Sequence, residues 1–124
     1  MRFLFLKALF GLLAFDTLGL GRNFLRMHRV VEQWTTALRT PPDDGIQRAC
    51  NAVNYACAWY PKRVRCLQRS VVLTCLLRSC GVRAQMVLGA QKIPFKGHAW
   101  TEVDGREVNE RRDVQKTYGV WERI

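Results

Sequence analysis

The chain has 124 residues, of which 48% are apolar and 24% are charged, a composition typical of a globular domain that excludes a disordered chain. This length allows one hydrophobic core, large enough to be stable without disulfide staples or a structural metal. Twenty lysines and arginines stand against ten aspartates and glutamates, so the net charge is +10 and the surface favours anionic partners such as acidic peptides, nucleic acid or anionic lipid.

The five cysteines do not spell a disulfide framework or a paired zinc motif, because their number is odd and no two are separated by two residues. We therefore expect reduced thiols and a cytoplasmic location, where cysteines are usually small core residues unless one is activated. A zinc site built from Cys75, Cys80 and His98 lacks the usual ligand spacing. No metal or other cofactor is expected.

The first 20 residues are apolar on every side of a helix, interrupted by Lys7 and Asp16. A cleavable secretory signal is disfavoured because few basic residues are present and a helical pattern continues after the apolar run. The two charges also make a membrane-spanning helix a poor fit. We expect a helix docked on the domain or on a protein partner, or one lying in the membrane interface. Three basic residues follow it closely: Arg22, Arg26 and Arg29.

Two further helices are predicted in the first half of the chain. Apolar residues recur every three or four positions over 23–38, which indicates one buried helical face. After a break that contains two prolines, an apolar face over 46–60 predicts the next helix, which Pro61 ends. Asp44 and Gln47 resemble the capping pair that begins such a helix.

From Cys66 onward the pattern changes from helix to strand, and Asp104-Gly105 is a hairpin signal. The fold class is therefore α+β, with the helix that begins at Cys66 packed on a small antiparallel sheet. Residues 1–40 form an N-terminal helical segment and residues 41–124 the core of a single domain. The predicted elements are a helix over 66–80 ending at Gly81, strands over 82–89, 98–103 and 106–110, and an aromatic segment over 114–124 that packs back on the sheet.

Cys66 differs from the other four cysteines because it opens a helix just after Lys62, Arg63 and Arg65. The unpaired N–H groups and the positive dipole end of the helix favour an anion there. A cysteine in such surroundings has a lowered pKa and reacts as a thiolate. The same N–H groups would face the oxyanion formed when the thiolate attacks a carbonyl. Taken alone, this position is more typical of a structural cysteine at a helix start than of a nucleophile. A catalytic role for Cys66 therefore requires a second feature, a nearby base.

His98 supplies that base, because it begins a strand next to Gly97, where close approach is sterically allowed. A histidine brought to the start of the nucleophile's helix is the pair that unrelated cysteine hydrolases build, with a third polar group orienting the ring. That third group is expected on the return strand. A two-residue turn at Asp104-Gly105 places Asn109 on the face of His98, and a turn longer by one residue places Glu110 there.

Three blocks of sequence occur in a distinctive order and spacing: CLQRS at 66–70, GVRA at 81–84 and PFKGHAWTEVDGR at 94–106. Together they resemble the leader peptidases of lasso-peptide biosynthesis, a family of transglutaminase-like cysteine peptidases. The resemblance covers residues 61–110. It implies a transglutaminase-like or papain-like core, a Cys-His-Asp triad, and removal of the leader from a ribosomally synthesised precursor before a cyclase closes the ring.

Carried over position by position, the resemblance assigns the nucleophile to Cys66, the base to His98 and the third member to Glu110, where the family has aspartate. Glutamate keeps the carboxylate but is one methylene longer, so Asn109 and Asp113 remain alternatives. The family's leader-recognition domain is fused ahead of the peptidase or supplied as a separate protein. Because the residues before Cys66 predict helices rather than strands, we expect a separate recognition protein, with the precursor peptide and the lasso cyclase as further partners.

Two other functions are compatible with these residues. An acyl-enzyme on Cys66 that is resolved by an amine instead of water would make the protein a transglutaminase-like acyl transferase with the same triad. A non-catalytic basic module that binds nucleic acid would draw on the +10 charge. Nucleic acid is the disfavoured partner, because no recognition motif is present and the arginines are scattered over both halves.

Overall fold

The computed structural model describes residues 2–41, 43–92, 95–109 and 119–124. It confirms the α+β class, with helices packed on an antiparallel sheet whose strand order is β3-β2-β1-β4. The elements in chain order are α1 (Arg2–Thr17), α2 (Phe24–Gln33), α3 (Gly45–Trp59), α4 (Cys66–Ser79), β1 (Ala84–Lys92), β2 (Phe95–Val103), β3 (Arg106–Val108) and β4 (Gly119–Arg123).

Helix α1 is docked on the domain, one of the arrangements that the apolar N-terminal sequence left open. Ala8 and Leu12 are fully buried in a cluster with residues of α3 and α4. Phe15 joins a second cluster, which reaches the sheet through Met86. Within the described ranges, no helix is long and apolar enough to cross a membrane.

Helix α2 ends at Gln33, although the apolar spacing predicts a helix that continues to Leu38. The reason lies in Arg78 of α4, whose guanidinium donates to the main-chain oxygens of Val31 and Trp34. Val31 lies in the last turn of α2 and Trp34 is the residue that follows the helix. The negative end of the helix dipole favours a cation at this position. The chain then leaves the helix in an extended conformation at Trp34.

The buried guanidinium of Arg78 joins three other segments as well as α2. It donates to the main-chain oxygen of Ala84 at 2.9 Å and to that of Ile124 at 2.9 Å. Ile124 in turn exchanges main-chain hydrogen bonds with Met86 of β1. Burial lowers the pKa of Arg78, but a guanidinium stays charged in proteins. One cation on α4 thereby ties together the end of α2, the start of β1 and the end of the described chain.

Helices α3 and α4 begin and end close to the predicted positions. Gly81, which follows α4, has a φ of +92°, the left-handed conformation expected of a helix-terminating glycine. The capping pair predicted for α3 is wrong, because the Asp44 side chain makes no capping hydrogen bond. Gln47 instead donates to Asn51 at 2.9 Å, one turn further along the helix.

Strand β2 lies in the sheet between β1 and the short strand β3. Asp104 and Gly105 form a two-residue turn with φ of 53° and 77°, and Val103 pairs with the next residue, Arg106. Positive φ at both central residues is typical of the type I′ turn of a tight hairpin. Helix α4 packs on β2, where the hydroxyls of Thr74 and Thr101 lie 3.0 Å apart.

The C-terminal residues form β4, which pairs antiparallel with the outer side of β1. The end of the predicted aromatic segment therefore joins the sheet as an edge strand, which sequence patterns did not identify, and residues 114–118 lie outside the described residues. The side chains of β4 are exposed, and that of Trp121 is 79% exposed. Glu122 contacts His28 of α2 at 2.7 Å, so α2 borders this edge of the sheet.

Candidate active site

Cys66 and His98 meet where the start of α4 lies beside β2. The partly buried thiol of Cys66 hydrogen-bonds to the His98 side chain and to the main-chain N–H groups of Ala99 and Leu67. Burial by itself would raise the pKa of this thiol. The hydrogen bonds and the nearby imidazole outweigh that effect, so the pKa of Cys66 lies below its usual value.

The remaining cysteines have different surroundings, and all five in the chain are free thiols. Burial raises the pKa of Cys50 to about 11, and that of Cys75 to about 11. Burial also raises the pKa of Cys57. A thiol with a raised pKa is rarely ionised at neutral pH and is therefore a poor nucleophile. Cys66 thus differs from these three in the direction of its pKa shift.

The His98 ring packs on a buried residue of the same strand, Trp100, which is fixed in turn by the buried Glu102. The imidazole stacks on the indole of Trp100, with centroids 5.8 Å apart and planes inclined by 24°. The indole Nε1 donates to Glu102 Oε2 at 2.9 Å, and Arg123 Nε of β4 donates to Glu102 Oε1 at 3.0 Å. Trp100 is fully buried and Glu102 is 1% exposed. This chain of contacts fixes the indole against which the imidazole rests.

Gly89 of β1 makes room for that indole. It pairs with His98, and a Cβ added at Gly89 would lie 2.6 Å from Cη2 and 2.8 Å from Cζ3 of Trp100. By contrast, a Cβ on Gly97 would meet its nearest atom, the Gly89 oxygen, at 4.0 Å. Close approach at the site therefore depends on Gly89, which sequence reasoning missed, and not on Gly97, the glycine that it singled out.

The third member of the predicted triad lies at the edge of the described structure. Asn109 follows β3 with a φ of 63°, and its amide exchanges two hydrogen bonds of 2.9 Å with the amide of Asn54 on α3. The two-residue turn at Asp104 was the condition under which Asn109 was expected to share the face of His98. In the structure its amide is instead turned toward α3. Glu110 and Asp113 lie outside the described residues, so the third role stays a prediction.

A second polar cluster anchors the start of α4 to α1. Gln68, two residues after Cys66, donates to the main-chain oxygen of Leu12 at 2.9 Å and to Asp16 Oδ2 at 3.2 Å. Asp16 also accepts a hydrogen bond from the Tyr60 hydroxyl and contacts Lys62 Nζ at 3.1 Å. Burial opposes ionisation of Asp16, but these hydrogen bonds and the lysine charge hold its pKa below the usual range.

This cluster also changes Tyr60, whose burial and contact with Asp16 raise its pKa to about 12. The carboxylate of Asp16 is distant from Cys66 in sequence, yet it bonds to a residue in the first turn of α4, which begins at Cys66. The sequence was interpreted as predicting only a docked or interfacial helix here, with no role for Asp16 near Cys66. The apolar surroundings of Asp16 in the sequence were the one available signal, because a lone carboxylate in an apolar helix needs partners.

In the part of the chain that the structure describes, no group of three or more His, Cys, Asp or Glu residues is arranged to hold a metal ion. The chemistry that the described residues offer is that of a thiolate beside an imidazole. Such a pair attacks carbonyl carbon and forms an acyl-enzyme.

Comparison with known proteins agrees with this geometry. The family model of the transglutaminase-like superfamily matches residues 9–123, beginning inside α1 and running through the predicted N-terminal segment and core. No curated protein and no solved structure matches the chain. Because the match covers almost all of the sequence, the chain belongs to the transglutaminase-like superfamily, which includes cysteine peptidases and acyl transferases.

Proposed function

We propose that this protein is a cysteine peptidase that removes the leader from a lasso-peptide precursor, with Cys66 as nucleophile, His98 as base and Glu110 as the third member. The observation that carries the proposal is the contact between the Cys66 thiol and the His98 side chain at the start of α4, together with the lowered pKa of the thiol. Both features suit a thiolate that must be nucleophilic near neutral pH.

The reaction proceeds in two halves. The Cys66 sulfur attacks the scissile carbonyl carbon, a C–S bond forms, and main-chain N–H groups at the start of α4 stabilise the oxyanion. His98, protonated by the thiol, gives its proton to the leaving amine as the C–N bond breaks. Water then attacks the acyl-enzyme with His98 taking its proton, and the C–S bond breaks to release a carboxylic acid. The Glu110 carboxylate would orient the ring and stabilise its charged form.

The substrate class is supported by sequence rather than by geometry. The three sequence blocks resemble those of lasso leader peptidases, and two of them contain Cys66 and His98. The +10 charge suits an acidic peptide. The same resemblance implies a recognition protein that delivers the leader to the site. The lasso cyclase would consume the freed core peptide.

The test is a mass measurement on the full chain mixed with a precursor peptide and a recognition protein. We expect the wild-type chain to release a leader with a new C-terminal carboxylate, and Cys66→Ala to leave the precursor intact. Cys80→Ala, at the other end of α4, is the matched control and should cleave like wild type. If the precursor stays uncleaved with wild type, Cys66→Ala and Cys80→Ala alike, the peptidase assignment is overturned.

Adding a primary amine to the same mixture separates hydrolysis from acyl transfer. A peptidase gives the free acid as the main product, whereas an acyl transferase gives an amide of correspondingly different mass. Amide formation that depends on Cys66 would reassign the protein to the acyl transferases of the superfamily. Salt-dependent binding of nucleic acid, with no activity lost in Cys66→Ala, would instead favour the basic binding module.

A further inference from the structure

Helix α1 presents an uncovered apolar stripe on the side opposite its buried face. Phe3, Leu6, Phe10 and Leu13 recur at intervals of three and four residues and are 79%, 59%, 72% and 52% exposed. At 1.5 Å per residue, this stripe is about 15 Å long. Exposed large apolar side chains are unremarkable singly, but a contiguous set of them marks an interaction surface.

The stripe continues into a groove of about 870 Å³ between α1, α2 and α4. Two of its polar side chains are already engaged, since Trp34 Nε1 donates to Ser79 Oγ at 3.2 Å and Ser79 Oγ donates to the Cys75 oxygen at 2.9 Å. A typical protein interface has about one hydrogen bond per 100–200 Å². A surface that offers so few polar groups suits hydrocarbon better than a folded protein partner.

The charges around the groove are positive. Lys7 lies among the lining residues, none of which is acidic where the structure describes them. Arg26 donates to the main-chain oxygen of Leu18, another lining residue, at 3.4 Å, and so lies at the groove's edge. Asp16, the one carboxylate of α1, is engaged with Lys62, Tyr60 and Gln68. Cations beside an apolar face complement anionic lipid headgroups.

We propose that the apolar stripe of α1 and the adjoining groove bind the surface of an anionic lipid bilayer, with Phe3, Leu6 and Phe10 entering the acyl region and Lys7 and Arg26 contacting headgroups. The helix lies in the interface and does not span the membrane. A second copy of the chain is a less suitable occupant, because each copy carries a net charge of +10 and would repel the other. The proposal does not depend on the peptidase assignment.

Co-sedimentation of the full chain with vesicles tests the proposal. We expect binding to equimolar phosphatidylglycerol and phosphatidylcholine, and weaker binding to phosphatidylcholine alone or at high salt. Leu6→Ser combined with Phe10→Ser should weaken binding at least about tenfold, because both side chains lose apolar burial. Lys7→Gln and Arg26→Gln should each weaken it about fivefold on anionic vesicles.

The matched control is Tyr55→Ser combined with Trp59→Ser, which removes side chains 57% and 76% exposed from α3. This control should bind vesicles like wild type, and circular dichroism should show that every variant is folded. Failure of the wild-type chain to bind anionic vesicles, or equal loss in the α3 control, would overturn the proposal. So would a dimer or a complex with the recognition protein that Leu6→Ser with Phe10→Ser abolishes while vesicle binding is unchanged.

Discussion

Replacing Gly89 with alanine should disturb the candidate active site through the indole of Trp100. The added Cβ would lie 2.6 Å and 2.8 Å from two ring carbons and 3.0 Å from the Gly119 oxygen. The ring is fully buried and bonded to Glu102, so it has little room to move without losing that hydrogen bond. Any displacement is transmitted to the His98 ring that stacks on it, and from there to the Cys66 thiol.

The energetic consequence follows from overpacking, which typically costs about 1–3 kcal/mol. With an unfolding entropy of about 2.1 cal/mol/K per residue, a chain of 124 residues loses about 4 °C of Tm per kcal/mol. A destabilisation of about 2 kcal/mol would therefore lower Tm by about 8 °C. At the site, weakening the contact with His98 removes one cause of the lowered Cys66 pKa, so the pH midpoint for alkylation should rise.

Thermal unfolding and the pH dependence of Cys66 alkylation measure these two effects. Gly97→Ala is the matched control, because its Cβ would meet no atom nearer than the Gly89 oxygen at 4.0 Å. It should leave both measurements close to wild type. If Gly89→Ala unfolds at the wild-type temperature with an unchanged alkylation profile, the indole does not hold the imidazole in place and the reasoning is refuted.

Three further outcomes are expected. Iodoacetamide at neutral pH should label Cys66 well before Cys50, because burial raises the pKa of Cys50 to about 11. Peptide mass mapping that finds the reverse order would contradict the assignment of Cys66 as nucleophile. Asp16→Asn should lower the free energy of unfolding by about 2 kcal/mol at pH 7. Because the pKa of the folded carboxyl lies below its ordinary value of 3.8, that contribution is present above about pH 4 and is lost as the pH falls through the folded pKa. Urea unfolding of both proteins over a series of falling pH values would show no such pH-dependent difference if Asp16 were unpaired. Glu110→Gln should slow leader cleavage and Glu110→Asp should retain it, whereas Asn109→Ala should have the smaller effect; cleavage abolished by Asn109→Ala alone would move the third role to the amide.

The elements that sequence patterns predicted well are those whose ends are set by neighbouring residues. Helix α4 begins at Cys66 and is followed by Gly81, whose left-handed backbone stops a helix whatever the rest of the fold does. The hairpin forms at Asp104-Gly105 because both residues adopt positive φ readily. Cys66 could likewise be singled out because a helix start has a local signature, whereas His98 lies inside β2 and not, as the sequence predicted, at the start of a strand.

The features that escaped prediction depend on contacts between segments distant in the chain. Strand β4 exists because β1 offers an edge to it, with Val87 paired to Arg123. Helix α2 stops early because the Arg78 side chain donates hydrogen bonds to the main-chain oxygens of Val31 and Trp34. Gly89 looks like any strand glycine until the indole of Trp100 is placed over it. None of these contacts leaves a mark in the local pattern of apolar and polar residues.

Arg78 has a consequence for how the molecule opens. Its guanidinium bonds at once to the end of α2, to Ala84 at the start of β1 and to Ile124 after β4, and a lysine could not reach that many acceptors. Releasing any one of these segments removes an acceptor from a buried cation that the other segments still hold in place. This loss makes separate opening unfavourable. We therefore expect the amides of these three segments to exchange with solvent as one cooperative unit, with a shared opening free energy.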